Sequence, residues 1–192
     1  MFEYTIRLSA EMSPANQTLS DRIRSVIRDV PDFPKPGIIF KDITPLLQDP
    51  ELCSAIVDGL CRDVESLAID AIVGIESRGF LFGVQMAQQL NVPFVPIRKK
   101  GKLPHHTHAV QYELEYGTAE IEMHRDGIQK GMKVLVHDDL LATGGTAIAA
   151  ADLIAQAAGQ VAGFSFLVEL GFLNGQKPLM NISNHVKSLV SY

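Results

Sequence analysis

The sequence has no tryptophan, only two cysteines, no surplus of positive charge and no apolar run long enough to cross a bilayer. Each shortage excludes something. A spanning helix needs about 20 consecutive apolar residues, so no membrane segment is expected. Lysine and arginine number 17 against 22 acidic residues, a formal net charge of −5, which argues against a general nucleic-acid-binding surface. Cys53 and Cys61 lie on one predicted helix, roughly 12 Å apart along its axis and too far for a disulfide. Both are read as reduced residues of a cytoplasmic protein. The stretch "MFEYTIRLSAEMSPANQTLS" lacks the basic start and continuous apolar run of a secretory signal. The chain also carries neither a Walker loop nor the G-x-G-x-x-G dinucleotide fingerprint.

What is present suits a single globular domain over residues 1–192, with 46% hydrophobic and 20% charged residues and no internal repeat. Residues 1–16 read as a loose arm. Apolar spacing predicts helices over 19–30, 51–67, 79–90 and 145–158. Strands are expected at 71–76, 92–99, 132–138, 161–170 and, shorter, at 185–190. Five prolines between Pro31 and Pro50 make that segment a stiff, shaped loop or short extended piece. "YELEYG" and "TAEIEMH" alternate apolar and polar residues, as antiparallel edge strands or a hairpin do. Strand then helix, repeated, implies an α/β fold: a mostly parallel central sheet with helices on both faces.

The stretch richest in chemistry is "KVLVHDDLLATGGT", residues 133–146. An apolar strand runs into Asp138 and Asp139, and Thr143, Gly144, Gly145 and Thr146 then stand where a helix begins. In open α/β sheets, ligands bind beyond the carboxyl ends of strands. Glycines admit close approach of an anion, and first-turn N–H groups have no helical partner. A phosphate therefore suits the turn. Carboxylates facing a phosphate would repel it, so the aspartates suit sugar hydroxyls or a divalent metal. Together the two halves fit a phosphorylated sugar; the plainer alternative is a helix start with an acidic approach.

That stretch resembles the phosphoribosyl-diphosphate motif of the type I phosphoribosyltransferase family. "FPKPGIIFKDITPLL", "GIESRGFLFG" and "RKKGKLPHHT" leading to "YELEYG" narrow the likeness to its adenine-using members, over about residues 18–170. The resemblance implies the type I fold, with a small N-terminal hood (about 1–48) contributing to the base pocket and a flexible catalytic lid (99–117). It implies transfer of phosphoribose from 5-phospho-α-D-ribose 1-diphosphate to adenine, giving AMP and pyrophosphate, with Mg²⁺ held mainly by substrate and no dedicated protein metal cage. It further implies a homodimer, and the near-unbroken apolar segment 79–90 makes one plausible.

Carried over position by position, Asp138 and Asp139 hold the ribose hydroxyls, and Ala142, Thr143, Gly144, Gly145 and Thr146 wrap the 5-phosphate. Ser77, Arg78, Arg98, Lys102 and His105 bind pyrophosphate. Glu115, Tyr116 and Arg78 are the catalytic residues, and the Arg98 and Lys102 region closes over the reacting center together with the loop leading to Glu115 and Tyr116. Ile38, Ile39, Phe40 and Lys41 line the adenine pocket, with Leu140 as an apolar face.

Residue chemistry gives each assignment a rival. "RKKGK" is either an anion clamp or a solvated turn, and Arg78 is either an anion contact or a partner of Glu76 or Asp70. Glu115 accepts a proton from adenine, orients it, or faces solvent like Glu113. "PGIIF" is a base pocket or a packing edge, and 99–117 a lid or an ordinary hairpin. His137 replaces the expected aliphatic residue; it is either a charged partner of the acids or a structural residue on the opposite sheet face. His105, His106 and His108 lack an acid or cysteine to complete a zinc set. Two other functions stay open: a transferase for another purine, and a non-catalytic nucleotide-sensing module.

Overall fold

Thr18 starts the first helix by a reciprocal cap: its hydroxyl accepts from Asp21 N at 3.2 Å, and its own main-chain N–H donates to Asp21 Oδ2 at 3.3 Å. The computed structural model describes residues 17–114 and 117–192. They fall into two compact units divided between Asp49 and Pro50. In the N-terminal unit, α1 spans Leu19–Val26 and stops short of the predicted residue 30. Ile27 takes an extended ψ of 131°, and Arg28–Pro31 forms strand β1 against β2, Ile39–Asp42. Pro31 cannot donate a main-chain hydrogen bond and pushes Val30 toward extended geometry, which cuts the helical pattern short. Directly opposed residues then pair by charge, Asp29 with Lys41 at 2.6 Å and Arg28 with Asp42 at 3.7 Å. A 3₁₀ turn over Thr44–Gln48 closes the unit.

The second unit opens with α2 (Pro50–Val64), which carries both cysteines as free thiols. It continues through β3 (Ala71–Ile75), α3 (Gly79–Gln89), β4 (Phe94–Lys99), β5 (Thr107–Leu114) and β6 (Gly117–His124). Then come β7 (Lys133–Leu141), α4 (Gly145–Gln156), β8 (Gln160–Glu169), a short α5 (Gln176–Leu179) and β9 (Val186–Ser191). The seven strands lie in the order β5-β6-β4-β3-β7-β8-β9. From β4 to β9 all pairs are parallel, and the β5–β6 hairpin adds antiparallel to β4.

All five residues of β3 are buried, as a central strand covered on both faces requires. Ala71, Val73, Ile75, Val134 and Val136 share one apolar cluster with the alanine-rich face of α4. Alternate residues turn the other way, where Gly83 of α3 comes close to the His137 ring. Strand order reverses at β3, whose successor β4 lies on one side and β7 on the other. The carboxyl ends of β3 and β7 therefore flank a switch-point crevice, the usual ligand position in such sheets. Ser77 and Arg78 follow β3 there, and the acids and glycine turn belong to β7.

Candidate active site

The turn joining β7 to α4 uses its two glycines differently. Gly144, the N-cap, has φ +89°, a left-handed geometry that glycine adopts freely. A Cβ on it would stand 2.8 Å from the Gly175 carbonyl oxygen. A Cβ on Gly145 would meet nothing nearer than the Glu113 carbonyl oxygen at 3.8 Å. One side of the turn is thus packed and the other open. No side chain caps α4, which leaves its first-turn N–H groups available to an anion. Asp138, Leu140 and the turn from Ala142 through Thr146 line a cleft of about 70 Å³, room for a small group such as one phosphate. Thr146 Oγ1 donates to Tyr112 Oη at 3.4 Å, bringing the β5–β6 hairpin to the edge of this turn.

The acids lie within β7, not after it, because Leu140 and Leu141 extend the pairing with Val168 and Glu169 of β8. Neighboring strand residues face opposite ways, and the two carboxyls accordingly have different surroundings. Asp138 lines the cleft, and its Oδ1 accepts from Asp139 N at 2.8 Å. Asp139 is 3% exposed and forms an ion pair with Arg78 Nε at 3.0 Å. Arg78's carboxylate partner is thus neither Glu76 nor Asp70; Asp70 accepts from Lys133 N at 2.7 Å. Burial pushes the Asp138 carboxyl well above its ordinary pKa, and the charge on Asp139 pushes it further. Burial also raises Asp139, against the pull of Arg78. His137 makes no pair with these acids. It is fully buried beside α3, its ring nitrogens have no hydrogen bond, and burial lowers its pKa to about 4 against a small opposing effect of the Ser165 main chain.

The cations of "RKKGK" are arranged by acids. Glu76 Oε2 accepts from Arg98 Nε at 3.2 Å and from Lys99 N at 3.0 Å, while Lys102 Nζ reaches Glu76 Oε1 at 2.5 Å. Lys100 pairs with Glu120 at 2.7 Å. Buried Glu122 accepts from the main-chain N–H groups of Lys102 and Leu103 at 3.0 and 2.9 Å. Burial raises the Glu76 pKa, but the bonds from Lys102, the Lys99 main chain and Arg98 outweigh it and leave a value of about 2. His105 and His106 are exposed, their rings 4.8 Å apart, with His124 6.3 Å from His105. Among the described residues no three His, Cys, Asp or Glu side chains form a metal-binding group. Regular hairpin structure from Thr107 confines the β4–β5 connection to residues 100–106, shorter than the 99–117 segment read from sequence.

In the N-terminal unit, Ile38 and Ile39 are 41% and 57% exposed, and Phe40 meets Phe33 edge-on with ring centers 5.1 Å apart. Lys41 is the cross-strand partner of Asp29. Glu115 and Tyr116 lie outside the described residues. Sequence reading missed the part Glu76 plays, although an acid at the carboxyl end of an apolar strand was a visible signal. It missed Tyr112 and Gly175 altogether. Nothing in the chain marks Gly175, whose Cβ would collide with the Ala142 carbonyl.

The family model "Phosphoribosyl transferase domain" matches residues 50–191. An adenine phosphoribosyltransferase of Cytophaga hutchinsonii is 51% identical over 181 residues, 94% of this chain and all of that protein. Another, from Sorangium cellulosum, is 56% identical over 154 residues, 80% of this chain and 77% of its own length. Among solved structures, the enzyme of Thermoanaerobacter pseudethanolicus superposes with a TM-score of 0.87 at 46% identity, covering 91% of this chain and 100% of that one. The Saccharomyces cerevisiae enzyme, solved with adenine and an imino-altritol bisphosphate, gives 0.82 at 37% identity, covering 89% and 98%. An open glycine turn beside an acid pair, at the switch point of this sheet, thus accompanies likeness along nearly the whole chain, and the chain belongs to the adenine phosphoribosyltransferase family.

Proposed function

We propose that this chain transfers the 5-phosphoribosyl group of 5-phospho-α-D-ribose 1-diphosphate to adenine, forming AMP and pyrophosphate in purine salvage. The observation that carries it is the cleft where the open side of the Ala142–Thr146 turn meets Asp138. The turn receives the 5-phosphate on main-chain donors, and the carboxylates accept from the ribose hydroxyls. A ring nitrogen of adenine attacks the anomeric carbon as the bond to pyrophosphate breaks, the electron pair leaving with that oxygen. The center inverts, and the proton lost from adenine passes to Glu115 or to water. Arg78, Arg98 and Lys102, with Ser77 and His105, stabilize the departing anion. Closure of the segment bearing Glu115 and Tyr116 excludes water that would hydrolyze the activated sugar. The exposed apolar edge of Ile38 and Ile39, with Phe40 and Lys41, is assigned to recognition of the purine.

Asp138 and Asp139 are hard oxygen donors of the type Mg²⁺ takes. Arg78 holds Asp139, while Asp138 lines the cleft, so the protein would offer a cation few ligands and substrate oxygens would supply most of them. When bound, Mg²⁺ neutralizes charge on the diphosphate. We place the protein in the cytoplasm, where its free thiols remain reduced. None of the described helices is long and apolar enough to cross a membrane. We further propose a homodimer formed through α3, where Leu81 and Val84 remain 37% and 39% exposed.

Pyrophosphate release measured across a panel of purine and pyrimidine bases tests the reaction. Adenine is expected to be preferred. Preference for hypoxanthine, guanine or xanthine would assign a sister enzyme, and sugar-diphosphate binding without release for any base would assign a sensing module. Replacing both Asp138 and Asp139 by Asn should raise the sugar-diphosphate KM about a hundredfold or more, as loss of two charge-assisted contacts implies, while circular dichroism stays native. An unchanged KM would remove the acids from the site.

A further inference from the structure

We propose that Glu76 is a positioning residue that presets Arg98 and Lys102 for pyrophosphate, an assignment that rests on the transfer reaction above. Its side chain is 9% exposed, whereas those of Arg98 and Lys102 are 34% and 47% exposed. A carboxylate with little exposure thus anchors two cations that reach solvent more freely. Both its oxygens are engaged, Oε2 by Arg98 Nε and Lys99 N, and Oε1 by Lys102 Nζ. Arg98 Nη1 donates in turn to the Lys102 carbonyl at 3.1 Å, and Glu122 holds the Lys102 and Leu103 main chain from the other side.

Glu76 directly follows β3, two positions before Arg78, so this assembly grows from the strand end that presents the Arg78–Asp139 pair. The cation nitrogens reach solvent while the Glu76 carboxylate is nearly covered, so an arriving anion meets nitrogen atoms first. Long cationic side chains lose much rotamer freedom when fixed. Here Glu76 fixes them before the ligand arrives, which lowers the cost of binding it.

Inorganic pyrophosphate titrated calorimetrically into the parent, Glu76→Gln and Glu76→Asp tests the assignment, with KM for the sugar diphosphate and for adenine measured alongside. Glu76→Gln should weaken pyrophosphate about tenfold and raise the sugar-diphosphate KM to match, while the adenine KM stays within about twofold. Glu76→Asp, which keeps the charge but shortens the reach, should fall between Gln and parent, and it carries the test if the Gln variant fails to fold. In a Lys102→Ala background, Glu76→Gln should cost less than it does alone. Pyrophosphate affinity equal to the parent's in either variant, or losses shared equally by both substrates, overturns the role of Glu76 while leaving the transfer reaction standing. A parent that neither binds pyrophosphate nor consumes adenine overturns the reaction and this role together.

Discussion

His137 shows how burial turns one side chain into a pH-dependent load on the fold. Its pKa is lowered to about 4 from 6.5, so below pH 6.5 the unfolded chain takes up a proton that the folded chain refuses. Stability is complete above 6.5 and falls as the pH drops toward 4, by on the order of 3 kcal/mol. His137→Leu should remove that slope, and thermal melting of the two proteins between pH 7 and 4 should converge or cross; parallel curves would contradict the assignment. Single residues were unevenly legible. The glycine turn of "DDLLATGG" was legible as the start of a helix after an apolar strand. The partner of Arg78 was hidden, because Asp139 comes close only once β3 and β7 lie side by side. His137 was open between two roles until the strand's alternation put it under α3.

Among elements, the long periodic or apolar segments were the most legible. Residues 79–90 and 145–158 became α3 and α4 with ends within two residues, and 71–76 became β3. The expected helix over 19–30 lost its end to β1, since spacing alone cannot show that Arg28–Pro31 has a strand waiting to pair. The β5–β6 hairpin followed from alternation, but its approach to the glycine turn through Tyr112 and Thr146 did not. Glu115, outside the described residues, is tested by substitution. Glu115→Ala should lower kcat about a hundredfold or more, as loss of a general base does, with the sugar-diphosphate KM within about threefold of the parent. Kinetic constants equal to the parent's would make Glu115 a surface residue.

At the scale of the whole molecule, repeated strand and helix announced a parallel sheet, but the order of its strands was not readable. Crossover helices fix handedness and leave open which side of β3 each new strand joins. The exposed face of α3 belongs to this scale too. Leu81→Glu with Val84→Glu should convert a dimer to monomers by light scattering, and an unaltered mass would exclude that face as the contact. The Arg78–Asp139 ion pair carries a last consequence. Guanidinium and carboxylate offset each other's charge in this pair, yet each is assigned to a different end of one reagent. Whatever draws the arginine outward unburdens the aspartate, so the two fragments of that reagent should bind synergistically: inorganic pyrophosphate should tighten ribose 5-phosphate, and ribose 5-phosphate should tighten pyrophosphate by the same factor.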